Sequence, residues 1–190
     1  MPFFENSYVI VYLFFACYFM YMRLLIVCLL FSCFLISSCD EGLSPDLADV
    51  RPGFGGTVTF SGDWNPEINQ THVVVFRDPL LSIEDFNVFN LSFVSEAIPN
   101  GSLSYSYSTL DTTALISTVE PGEISYIAVA QSLTDTITLS RENWIVVGLY
   151  FAENDSTQPG SIDVDEGEFI NNINIHCDFN NPPPQPPGGE

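Results

Sequence analysis

The chain changes character abruptly after residue 38, and no single fold accommodates both sides of that break. Residues 1–38 contain one acid, Glu5, and one base, Arg23. Residues 39–190 contain 23 acids and three arginines, Arg51, Arg77 and Arg141; with no lysine anywhere, the whole formal charge of −20 sits there. The two parts bury apolar surface by different means and are read separately. The charge excludes nucleic acid as a default partner, because phosphate binding needs clustered Lys and Arg. It also argues against electrostatic docking on anionic lipid. A hydrophobic share of 46% excludes wholesale disorder.

The amino-terminal part reads in order only from Met22. Met22-Arg23 supplies a short positive region, and residues 24–36 form a 13-residue apolar run, inside the span of about 7–15 that secretory signals use. Leu35-Ile36-Ser37-Ser38-Cys39 follows. This string resembles the lipobox of bacterial lipoproteins, in which an apolar residue and two small residues precede a cysteine. The resemblance implies that residues 1–38 are a signal segment, that Met22 is the true start, and that Cys39 becomes the lipidated first residue of the mature chain. Each buried methylene of an acyl chain contributes about 0.8 kcal/mol, so several chains hold a soluble domain firmly at a bilayer. The competing reading is an uncleaved span over residues 8–36, with Arg23 near mid-membrane at a cost of about 2.5–3.5 kcal/mol. Asp40 and Glu41 resemble either an inner-membrane retention signal or a surface-export signal of lipoproteins, and the residues do not choose between them. Cys17, Cys28 and Cys33 fall in the segment to be removed, so Cys177 is the one thiol left and no intramolecular disulfide forms in the mature chain.

Residues 39–52, acidic with Pro45 and Pro52, read as a tether. Residues 181–190 are Pro-rich, short of amide donors, and read as an extended, unpacked tail. Residues 53–180 between them read as β throughout. Val73, Val74, Val75 and Phe76 run in succession, as in a strand buried on both faces. Phe89, Leu91 and Phe93, and again Leu103, Tyr105 and Tyr107, alternate with polar residues. Residues 57–60, 124–131, 144–151 and 169–179 give further runs, with Pro, Gly and Asn breakers between them. Short strands at this spacing predict an all-β sandwich or barrel. Ser82 caps a short predicted helix over residues 83–87, whose first turn carries Glu84 and Asp85.

Three loose motifs carry a second resemblance. Gly56-Thr57-Val58 opens the domain; Pro121-Gly122 feeds Tyr126-Ile127-Ala128-Val129; Val164-Asp165-Glu166-Gly167 precedes the last strand. Together they resemble the prealbumin-like sandwich of carboxypeptidase-regulatory-like bacterial surface domains. The chain departs from that pattern in lacking an Asp-x-x-Gly step before its Tyr-rich strand and in its long 78–88 loop. The resemblance implies one antiparallel sandwich of seven or eight strands, accessory and non-catalytic.

Candidate chemistry is sparse. His176-Cys177 looks like a ligand or nucleophile pair, but neighbours on a strand point to opposite faces. Parity puts Cys177 inside with Ile173, Ile175 and Phe179, and His176 outside with Asn172, Asn174 and Asp178. Asp163, Asp165, Glu166 and Glu168 form the densest acid cluster, whose oxygens suit Ca²⁺, although Gly167 stands where an EF-hand loop needs a ligand. A solvated acidic turn is the plainer alternative. Leu80, Leu81, Ile83 and Phe86 crowd one loop and either cap an open end of the fold or form a partner-binding patch. Asn69, Asn90, Asn100 and Asn154 head glycosylation-type triplets that carry no weight in a bacterial chain. The acidity fits either high-salt adaptation or attraction of cations. These observations predict a non-enzymatic lipoprotein of the bacterial cell envelope, bound to the lipid bilayer through its acyl anchor. Its domain acts as a structural module or contacts another envelope protein; no cofactor is expected. The alternative is a cation- or small-ligand-binding lipoprotein using the 163–168 turn.

Overall fold

The computed structural model describes residues 18–24, 51–152 and 155–189. Residues 18–24, which include Met22 and Arg23, form a short helix with exposed side chains. No helix among the described residues is long and apolar enough to cross a membrane. Cys39 and the tether to residue 50 lie outside the described residues.

The described residues from 51 onward build thirteen short strands: β1 Gly53–Ser61, β2 Gln70–Phe76, β3 Leu91–Val94, β4 Ser104–Ser108, β5 Ile116–Ser117, β6 Gly122–Ile124, β7 Tyr126–Ser132, β8 Trp144–Leu149, β9 Phe151–Ala152, β10 Asp155–Pro159, β11 Ile162–Val164, β12 Phe169–Ile170 and β13 Ile175–Asp178. The all-β class holds. The arrangement departs from a single antiparallel sandwich. The main sheet runs β4-β1-β13-β8-β7-β2-β3-β5, with β12 beside the start of β1, and two small ribbons, β6–β11 and β9–β10, stand apart from it. Its β1–β12 and β1–β13 pairings are parallel and the rest are antiparallel. The sheet curls, so that Phe93 of β3 and Tyr107 of β4 meet across its two margins at 6.5 Å between ring centroids.

The parallel return has a local cause. β12 and β13 are one strand interrupted by an arch at residues 171–174, where Asn172 takes φ 66°. The arch satisfies β1 where the ladder lapses: Ile173 N–H donates to Gly55 O (3.1 Å) and Thr57 N–H to Asn174 Oδ1 (2.9 Å). A side chain at Gly56 would collide with the Ile173 backbone. The Tyr107 hydroxyl reaches in from β4 and donates to Ile173 O at 2.7 Å, which removes a buried orphan acceptor. Burial pushes the Tyr107 phenol well above its usual range, so it stays a donor.

The curled sheet encloses a core of Phe54, Val58, Val73, Val75, Phe93, Ile127, Val129, Val147, Ile175 and Cys177; the β6–β11 ribbon adds Ile124 and Val164. Burying a side chain of this size contributes about 1.5–3 kcal/mol. Val73 to Phe76 are all buried, as their unbroken apolar run predicts. The outer face of β2, β3, β7 and β8 therefore carries a second apolar layer, including Val74, Phe76, Val94, Ala128, Ala130 and Trp144. A bulge between β7 and β8 turns Val147 inward while Val146 and Leu149 join the outer layer.

Several sequence expectations need correction. Residues 83–87 form only a 3-10 turn, Ile83–Asp85. Phe89 and Leu103 are exposed, outside the strands their alternation suggested. The tail is extended but packed. Gln185 lies against the free side of β8, accepting from Val146 N–H (2.9 Å) and donating to Val146 O (2.8 Å). The Pro186 carbonyl accepts from Arg141 Nη2 at 3.0 Å. The carboxamide supplies the donor and acceptor that proline backbone lacks.

The β13–β8 contact is tight at Gly148, where a methyl group would strike Cys177 Sγ. Gly148→Ala is expected to lower stability by about 1–3 kcal/mol through overpacking, read as a drop in denaturant midpoint at unchanged slope.

Candidate functional site

β13 separates the suggestive His-Cys pair. Cys177 is fully buried and free. Burial pushes its thiol up to about 12, so the reactive thiolate is scarce at neutral pH. His176 projects outward and exposed from the same strand. Its Nδ1 lies 3.0 Å from Thr59 Oγ1 and its Nε2 3.3 Å from Ser61 Oγ, so two β1 hydroxyls orient the ring. His72, on β2, is buried; Nδ1–H donates to Ser95 O at 2.8 Å, and Nε2 lies 3.2 Å from Gln70 Oε1. Burial holds this imidazole below its usual range, against weaker raising by the backbone of Ser95 and Glu96. Through Ser95 it cross-links β2 to the segment after β3.

The acidic turn stays open. Asp163, Asp165, Glu166 and Glu168 are all exposed on β11 and the turn after it. Among the described residues, no three His, Cys, Asp or Glu side chains converge as a metal site requires. A backbone bond closes the turn: Glu168 N–H donates to Asp165 O (3.1 Å), and Gly167 takes φ 74°.

The apolar loop is split between two tasks. Leu80 is buried and Phe86 half-buried over the outer layer, with Phe86 5.2 Å from Phe76 between ring centroids. Leu81 and Ile83 stay exposed, and the loop adds Val88 and Phe89, which is 96% exposed. Polar clamps fix the loop. The Asp85 carboxylate accepts from Leu81 N–H (3.0 Å), Ser82 N–H (2.8 Å) and the Ser82 hydroxyl (3.1 Å). These bonds hold its pKa below the ordinary carboxylate value. Buried Asn90, the head of one glycosylation-type triplet, accepts from Asp78 N–H (2.6 Å) and donates to Asp85 O (2.9 Å). A small apolar cleft of about 30 Å³ lies between this loop and Ile137 and Leu139 of a second one, the β7–β8 connection.

Arg141 follows that second loop and is only 3% exposed. Its Nη1 donates to Trp144 O and its Nη2 to Pro186 O, and its guanidinium stands 5.8 Å from the Phe86 ring centre. Its Nε finds no partner, and desolvation lowers its pKa. Sequence gave no hint of this burial, because the covering comes from the tail.

Another depression lies on the outward face of β13. A groove of about 890 Å³ has Asn174, His176 and Asp178 on its floor. Phe151, Ala152 and Ser156 of β9 and β10 and Pro182, Pro183 and Pro184 of the tail also line it, while Tyr150, at its edge, packs against the enclosed core. A second open depression of about 470 Å³ shares Asn174 with it and is flanked by Asn171, Asn172 and Phe169. The parity of Asn172, Asn174, His176 and Asp178 was legible in sequence; the walls were not, because they come from distant segments. No family model, curated protein or solved structure matches the chain.

Two outcomes follow from the buried groups. A thiol reagent labels Cys177 slowly in the native chain and rapidly after denaturation; fast native labelling would place the thiol outside the core. His72 makes stability rise with pH. The unfolded imidazole takes up a proton near pH 6.5, while the folded one, held lower by burial, does so only at lower pH. Stability is therefore full above about pH 6.5 and falls as pH drops below it toward the folded value. His72→Gln is expected to flatten that slope in denaturant titrations below about pH 6.5.

Proposed function

We propose that the chain is a non-enzymatic lipoprotein of the bacterial cell envelope, anchored through acylated Cys39, whose β domain is an interaction module for another envelope protein. The observation that carries the interaction reading is the clamped 80–89 loop. Leu81 at 79% exposure and Phe89 at 96% are among the most exposed large apolar side chains of a chain with a net charge of −20. The Asp85 and Asn90 bonds hold the loop that bears them. Exposed apolar side chains on a fixed loop incur little ordering entropy on binding, which favours recognition. The tied-up states of His72 and Cys177 support the non-enzymatic reading, since neither is available as base or nucleophile.

Membrane fractionation of Cys39→Ala cells tests the anchor. The expected result is an uncleaved precursor or a protein released from the membrane fraction. A processed, unlipidated variant that stays membrane-bound overturns it. A photo-crosslinking residue at position 89 is expected to trap one envelope protein in cells, and the paired Leu81→Ser change should remove that adduct.

A further inference from the structure

We propose that the edge of β8 at Trp144–Val146 is a strand-addition site for an extended segment of the partner protein, held closed in this structure by the chain's own tail. This rests on the interaction role of the 80–89 loop and gives that surface its regulation. The edge has no strand of its own. Among the described residues, β13 pairs with β8 only at Gly148 and Leu149. Upstream, side chains stand where a strand would pair. The Gln185 carboxamide accepts from Val146 N–H and donates to Val146 O, and the Trp144 carbonyl accepts from Arg141 Nη1. A carboxamide donates and accepts as a peptide group does. Gln185 therefore takes the place of one residue of an added strand, the mode by which open sheet edges bind extended peptides.

This cap is held at few points. Residues 182–189 contain five prolines, and among the described residues none of their backbone N–H groups donates to the rest of the domain. Their hold is the Gln185 amide, the Pro186 carbonyl on Arg141 Nη2 and the buried Pro186 ring. All belong to two adjacent residues, so the tail can lift without breaking any strand pairing. The closed state also leaves a donor unsatisfied: Arg141 is 3% exposed and its Nε has no partner. That donor costs the closed state and regains water when the tail lifts.

The tail crosses the loop that carries the interaction. A Cβ at Gly188 would lie 2.9 Å from Ile83 Cδ1, and Arg141, bonded to Pro186, stands 5.8 Å from the Phe86 ring centre. With the tail lifted, the apolar surface of Ile83 and Phe86 continues onto Trp144 and Val146 of the outer layer and ends at the free backbone groups of β8. One extended partner segment meets all of it, with a peptide group on Val146, a carbonyl on Arg141 Nη2 and an apolar side chain in the seat of Pro186. A tail that must leave first lowers the apparent affinity in proportion to the fraction of open molecules.

The test compares three chains in cells, each with the photo-crosslinking residue at position 89: the otherwise unaltered chain, Gln185→Ala, and a chain ended after Asn181. Hydrogen exchange at the Val146 amide, measured on the purified chains in detergent, reads the closure itself. Exchange is expected to quicken by about tenfold or more in both altered chains. The adduct with the same envelope protein is expected to rise by about threefold or more, and the Val146 amide to be protected again within that adduct. Unchanged Val146 exchange in Gln185→Ala overturns the proposal. So does a Gln185→Ala chain that opens at Val146 yet gives no more adduct, the result of a tail that only stabilises the fold. An adduct in which Val146 still exchanges fast overturns strand addition. No adduct from any of the three chains is a different outcome: it overturns the interaction role of the loop, and this proposal with it.

Discussion

The parallel run of β12 and β13 along β1 is the constraint on which the rest of this domain depends. Parallel neighbours need a long connection, and here nearly the whole domain lies between β1 and its partners. The pairing joins the first and last parts of the fold, draws the sheet into a curl and sets the arch across Gly56. From the arch, Ile173 O fixes the Tyr107 hydroxyl, and Cys177 packs against Gly148. One register error would turn Cys177 outward and His176 into the core, because side chains alternate at each residue.

A second consequence is that β2, β7 and β8 are apolar on both faces. The curled sheet fills one side by closing on itself. The other must be covered by something that is not a strand. The 80–89 loop contributes Leu80 and Phe86, and the tail contributes Pro186 and the Gln185 amide. Arg141 sits where these coverings meet. Burying a guanidinium without a carboxylate is costly, and carbonyl oxygens of Trp144 and Pro186 with the Phe86 ring offset part of that cost. Gly188 and Gly189 let the tail pass directly over it; a methyl group at 189 would collide with the guanidinium. The same docked tail walls the β13 groove, so covering the outer layer and shaping the groove are one event.

Much of the fold was legible one strand at a time. Apolar runs and alternation marked β2, β4, β7, β8 and β13, because a strand's two faces write directly into a period of two. The same rule separated Cys177 from His176. It failed where a segment's partner is remote. Phe89 alternates with Leu91 and Phe93 but stands before β3, in a loop that Asn90 turns away from the sheet. The proline tail docks despite its shortage of backbone donors because a single glutamine side chain makes both bonds to Val146.

What the sequence by itself determined is local: the break in character after residue 38, the all-β class, the burial on both faces of β2, and which side chains of β13 face in. Each follows from the periodicity of the backbone and the free energy of burying apolar surface, which neighbouring residues suffice to express. Tertiary structure alone decided the parallel return, the mixed curled sheet in place of an antiparallel sandwich, the buried Arg141, and the groove whose floor and walls come from separate segments. These depend on which strand edges meet and which side chains satisfy them. Contacts between residues about a hundred positions apart, such as Thr57 with Asn174, leave no periodic trace in either segment.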